Sequence, residues 1–141
     1  MFYTIFYATN EAFRALSGGL AFAIKMHNEY PDEVPPPPSL RDLTATHRPI
    51  VSMSVKNAAN DLQAMEEIFI AMQGERWSGC SVTQPAAQAL IKATPDVDHT
   101  SMSCGDIVVT EIGQVYMVAD AGFTYLGMLG SDEMHVEEHR A

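Results

Sequence analysis

The chain starts with a run, Phe2 to Ala8, that is aromatic or apolar on both faces, which predicts a short buried strand. Thr9 or Asn10 can cap the helix expected from Glu11 to about Asn28. There Phe13, Leu16, Leu20 and Ile24 share one face, and Glu11 lies near the positive N-terminus. Gly18-Gly19 interrupts this helix at roughly 1 kcal/mol per glycine, so a kink, a close packing contact or two shorter helices is expected. No Lys-Ser/Thr follows the pair, and a phosphate loop is not indicated. Tyr30 to Pro49 lacks a period. Its four prolines, Pro35 to Pro38, read as an extended polyproline II spacer, although such a run is also a ligand for aromatic-lined grooves. A brief helical turn is expected around Leu40 to Thr44.

Ile50 to Val55 alternates, with Val51, Met53 and Val55 on one side and Ser52 and Ser54 on the other, the pattern of a half-buried strand. Asn57 or Asn60 can cap the strongest helix. Leu62, Met65, Phe69 and Met72 share its inner face with Ile68 alongside, while Asp61, Glu66 and Glu67 point away and Gly74 supplies a left-handed stop. This methionine-rich stripe reads as core, with Trp77 packed over it. Gln84 to Ala93 predicts a short helix with Pro85 in its first turn and Ala87, Leu90 and Ile91 inward. Ile107 to Val109 and Val115 to Val118 form a hairpin across Gly113, and Gly122 turns the chain again before Phe123, Tyr125 and Leu126. Ser131 to Ala141 is acidic and frays unless it docks as a helix or contact segment. The expected fold is α+β: one domain over 1–141, with a small, mainly antiparallel sheet and a C-terminal β-hairpin. Two or three helices pack on one face, a Pro-rich loop occupies about 30–49 and an acidic C-terminal tail 131–141.

The order S-M-S-C-G-D-I-V-V from Ser101, then Y-M-V from Tyr116, then Gly122-Phe123, resembles the end of YodL-like domains of phages, plasmids and integrative elements. The short aromatic strand Phe2 to Tyr7 and the Ile68-Phe69 pair are similar to earlier parts of that pattern. Cys104 stands where the family commonly has an apolar residue, and the Pro-rich insert has no expected counterpart. The resemblance implies an accessory protein of a mobile element, often associated with phage–host conflict, without a general set of catalytic residues.

Charge narrows the options further. Up to Lys56 acids and bases balance, so the net charge of −10 resides entirely in the remainder, and from Ala93 onward only Arg140 opposes the acids. Such a surface repels phosphate backbones, which argues against direct nucleic-acid binding and for a partner with a basic surface. The acids expected to form the binding surface are Asp96, Asp98, Glu111, Asp120, Asp132, Glu133, Glu137 and Glu138. No basic leader or membrane-spanning apolar run is visible, and Cys80 and Cys104 read as free thiols in a reducing cytoplasm of the host cell.

Three clusters invite a chemical reading. His135 to His139 matches H-x-x-E-H, a zinc pattern on helices, but reads here as a solvated tail; no metal or cofactor is expected. Cys104 is the best conceivable nucleophile and His99 or His47 the best conceivable base, yet no activating basic cluster accompanies the thiol, and no catalytic residue is assigned. Ser101, Ser103 and Asp106 instead read as a structural turn bonded to local amides, with Gly105, Gly122 and Phe123 shaping the strand entries. The function expected is that of a small acidic protein binding a host protein, in the manner of an inhibitor of antiviral defence such as CRISPR or restriction. The alternatives are a small enzyme using the His99 to Asp106 region, and a structural or nucleic-acid-binding module using the GDIVV hairpin.

Overall fold

In the computed structural model, described over residues 1–74, 79–132 and 134 and as backbone alone over 137–139, the sheet is the organising element. Its strands are β1 (Phe2–Ala8), β2 (His47–Ser54), β3 (Ile107–Thr110), β4 (Gln114–Ala119), β5 (Gly122–Met128) and β6 (Glu137–His139). They lie in the order β2-β1-β3-β4-β5-β6, every neighbouring pair antiparallel. The α+β architecture with the C-terminal hairpin β4–β5 is thus as expected.

The helices are α1 (Asn10–Leu16), α2 (Leu20–Glu29), α3 (Asp61–Met72) and α4 (Gln84–Ala93), with a 3-10 turn at Leu43–Ala45. They cover both faces of the sheet rather than the single face expected. Tyr3, Ile5 and Tyr7 of β1 pack toward α3 and α4 with Met65, Ile68, Met72 and Ile91. Ala8 packs the other way with Ala12, Leu16, Ala23, Leu40 and Leu43. A strand that is apolar on both faces requires a cover on both, and all four residues of β3 are buried for the same reason.

Local chemistry accounts for the element ends. Thr9 caps α1 by accepting from the Ala12 amide, and the glycine pair resolves into a break between two helices, with Gly19 at φ 98°. Asn60 caps α3 through the Gln63 amide, and Thr83 caps α4 through that of Ala86. The α3 stripe is rotated from expectation: Ala64, Met65, Ile68, Ala71 and Met72 are buried, and Phe69 lies on its flank. Leu90, expected inward, is 43% exposed. Strand β2 begins three residues early and carries a bulge at Ile50, since Ile5 pairs with Val51 but Phe6 with Pro49. The extra residue turns Ile50 inward beside Met53 and leaves Val51 half-buried, replacing the expected alternation.

Pro35 to Ser39 has no regular secondary structure, and within it Pro38 is buried and Pro35 partly so. The buried Pro38 is covered by the protein's own body. The tail neither frays nor docks as a helix at Glu137–His139; it adds a strand to β5. Trp77, Glu133 and His135 lie outside the described residues.

Ile68→Ala should cost about 2–5 kcal/mol in urea unfolding, whereas Leu90→Ala should change stability by less than about 0.5 kcal/mol. Equal losses would contradict this packing of α4.

Candidate functional site

The segment between α4 and β3 brings together the polar residues that the sequence singled out. Asp106 is fully buried at the entry to β3. Its Oδ1 accepts the Ala8 amide at 2.8 Å and its Oδ2 accepts the Ser103 amide at 2.8 Å. His99 Nε2 donates to the same carboxylate, 3.0 and 2.9 Å from its two oxygens. The local amide bond agrees with the structural-turn reading, while the bond to Ala8 spans the chain. Ser103 Oγ departs from expectation by donating to the Ser101 carbonyl rather than accepting from an amide.

The His99 ring lies between two aromatic rings, with centroids 4.7 Å from Tyr7 and 4.2 Å from Phe13, and is nearly parallel to both. Next to it, the Gly105 carbonyl accepts from His47 Nε2 at 2.7 Å. A carbonyl only accepts, so Nε2 carries the proton; Nδ1 then accepts from Thr46 Oγ at 2.8 Å. Gly105 has φ 98°, and a Cβ there would stand 2.8 Å from Leu16 Cβ. Both the backbone conformation and the space require glycine.

Electrostatics follow burial. Desolvation pushes the Asp106 carboxyl above its ordinary range, against the pull of His99 and the two amides. Burial holds the His47 imidazole down to about 4, the Gly105 carbonyl opposing. Burial, and then Asp106, raises the Tyr7 phenol. Burial also raises the Cys104 thiol, with Asp120 and Asp106 adding to the effect, so the thiolate a nucleophile requires is disfavoured.

This arrangement has the base-and-orienting-acid half of a catalytic triad, but not its outlet. With Nε2 on Asp106, proton exchange would fall to His99 Nδ1, which is buried and has no hydrogen-bond partner among the described residues. Chemically, the cluster is suited to holding the 99–106 segment against β1 and β2.

The eight acids expected to form one surface are divided. Asp96, Asp98 and Asp120 lie toward the end of the sheet that carries Ala8: Asp96 faces Arg48 at 3.5 Å, and Asp98 exchanges hydrogen bonds with Asn10. Glu111 is at the opposite end, where it accepts the Phe2 amide. Asp132 follows β5 at that end and pairs with Arg41 at 2.7 Å. Both of those side chains are at least 70% exposed, so the pair contributes little and Asp132 stays accessible. Glu137 and Glu138 lie on β6 by backbone position, and Glu133 falls outside the described residues.

Two grooves that sequence reasoning did not anticipate flank the β4–β5 tip. The larger, about 520 Å³, runs between Gly18, Gly19, Leu20 and Phe22 on one side and Cys104 and Asp120 on the other. The smaller, about 260 Å³, runs between α3 and the tip. Neither is lined by His99 or Asp106. The strand at 137–139 differs from the helix that the H-x-x-E-H zinc pattern requires. Among the described residues, no group of three or more His, Cys, Asp or Glu is placed to hold a metal, and no helix is long and apolar enough to cross a membrane.

Three outcomes test the cluster. Asp106→Ala leaves two amides and an imidazole N–H without an acceptor, and should cost about 3–5 kcal/mol. Gly105→Ala should cost about 3 kcal/mol from strain and overpacking together; stability unchanged in either variant would refute the arrangement. The third is pH dependence. An unfolded imidazole titrates near 6.5, so the folded state binds fewer protons between that value and about 4. The stability His47 contributes is full above 6.5 and is lost as pH falls toward 4, by roughly 3 kcal/mol in all. Asp106, shifted upward, acts in the opposite sense, contributing stability in acid that is lost as pH rises through its folded value. Subtracting the urea-unfolding profile of His47→Gln, which keeps a donor at Nε2, isolates the histidine. Parallel profiles would exclude a buried neutral His47.

Comparison with known protein families, with curated proteins and with solved structures found no match to this chain.

Proposed function

We propose that this chain is a small acidic accessory protein of a phage or other mobile element. In this reading it works in the host cytoplasm by binding a host protein with a basic surface and inhibiting an antiviral defence such as CRISPR or restriction. The observation that carries the reading is the inward use of the polar signature residues. His99, Ser103 and Asp106 are engaged in holding the fold, which leaves the outer, acidic surface to act. The likeness of Ser101 to Phe123 to YodL-like domains supports the lineage, and the net charge of −10 supports a basic partner. The enzyme alternative would need the His99–Asp106 pair to face a groove, and neither residue lines the two grooves described, while the thiol that does line one is held as the unreactive thiol by burial.

The test is affinity capture from a host lysate with the intact protein, followed by kinetics with the purified partner. Steering by a field of this sign is screened over about 8 Å at physiological salt. Raising the salt should therefore slow association by about tenfold or more and change dissociation much less. Neutralising Asp132, Glu133, Glu137 and Glu138 together should imitate high salt. A salt-independent affinity with a silent fourfold variant would remove the acidic surface from the interface, and failure to capture a specific partner would overturn the binding reading.

A further inference from the structure

We infer that the smaller groove, between α3 and the β4–β5 tip, is a socket for one arginine side chain of a protein partner. The inference rests on the protein-binding reading above and gives it an address. Its walls are Glu66, Phe69 and Ile70 from α3, and Val118, Asp120 and Phe123 from the hairpin. At about 260 Å³ it is smaller than the roughly 300–1,000 Å³ of pockets for drug-sized molecules, a size that suits a single long side chain.

Charge and shape select the occupant. The groove is lined by two carboxylates, otherwise only by apolar residues and Gly122, and by no basic residue. Among the described residues neither Glu66 nor Asp120 takes part in an ion pair. The apolar walls fit the methylene stem of a basic side chain, while the two acids, from different elements, fit its charged head. A planar guanidinium reaches two carboxylates at once through its fork of donors and stacks on an aromatic face such as that of half-buried Phe69; a lysine ammonium does neither as well. The larger groove lacks this selectivity. It contains the N-terminus of α2, whose positive dipole end has no side-chain cap and opposes a cation. The −10 charge of the chain would draw an arginine-bearing surface toward the tip before contact.

The probe is N-acetyl-arginine methylamide, titrated at millimolar concentration into the intact ¹⁵N-labelled protein, with N-acetyl-citrulline methylamide as its neutral isostere. Saturable amide shifts are expected at Glu66, Phe69 and Ile70 and through Ala119 to Phe123. Citrulline should produce few of them. The double variant Glu66→Gln/Asp120→Asn should weaken binding by about tenfold or more with an unchanged unfolding midpoint, and Phe69→Leu should weaken it less. Shifts spread over all the exposed acids, equal binding of citrulline, or wild-type affinity in the double variant would each overturn the socket. A captured host partner that binds the double variant as tightly as the wild type would also overturn it and leave the protein-binding reading standing. A selective arginine titration in a protein that captures no host partner would support the socket and count against that reading.

Discussion

A carboxylate with no exposed surface has to be surrounded by donors, and the Asp106 side chain imposes that demand at the junction of β1, β3 and the segment before β3. Its donors come from the end of β1 through the Ala8 amide, from its own turn through Ser103, and from His99. His99 is in turn oriented by Tyr7 and Phe13, so the same constraint reaches α1. One residue earlier, Gly105 lies against Leu16 and gives its carbonyl to His47 at the start of β2. A change in this corner is therefore felt by both faces of the sheet. A buried charge is a poor source of net stability compared with apolar packing, but it penalises arrangements in which its donors are displaced. That penalty fits a small sheet whose register is interrupted by bulges in β2 and β5.

Much of the architecture was legible because local pattern and tertiary burial agree. Strand β1, the hairpin β4–β5 and the caps at Thr9 and Asn60 each follow from residues within one element. The errors lie where a distant element decides. The two-sided burial of β1 was visible in its composition, yet it did not reveal that α1 and α2 would cover one face while α3 and α4 covered the other. The rotation of α3 by about one residue has the same origin, since the burial of small residues such as Ala64 and Ala71 is set by what packs over them rather than by their own hydrophobicity. Register is equally non-local: the bulge at Ile50 turns the β2 pattern from alternation to a period of three, and Pro49, which cannot donate to the ladder, is its one local mark within β2.

The candidate site was legible in its parts and not in its assembly. Ser103 and Asp106 read as turn residues, and Asp106 does bond the local Ser103 amide. Its second amide, on Ala8, is 98 positions away, and nothing in the spacing of residues 99–106 points there. His99 and His47 were recognisable as the histidines worth watching, but only the packed structure shows one clamped between aromatic rings and the other neutral behind a carbonyl. The acidic surface shows the reverse error. Eight carboxylates close in sequence suggested one patch, whereas the antiparallel order sends Glu111 and Asp120 to opposite ends of β4.

That division determines where charge has its greatest effect. Exposed carboxylates spread over two ends of a small sheet act on a partner mainly through their summed field, which raises encounter rates and discriminates little between basic surfaces. Discrimination requires charge held beside a shaped apolar wall, where desolvation strengthens the pairing and a misfit leaves a carboxylate unpaired. At the β4–β5 tip the carboxylates of Glu66 and Asp120 meet such walls, formed by Phe69, Ile70 and Phe123. The hairpin that bears Asp120 continues directly from β3, and the Val118 amide near its tip donates to the Asp106 carbonyl at 2.8 Å, so the tip is tied to the Asp106 corner. Asp106 and the segment it holds thereby bear on the position of a groove that they do not line.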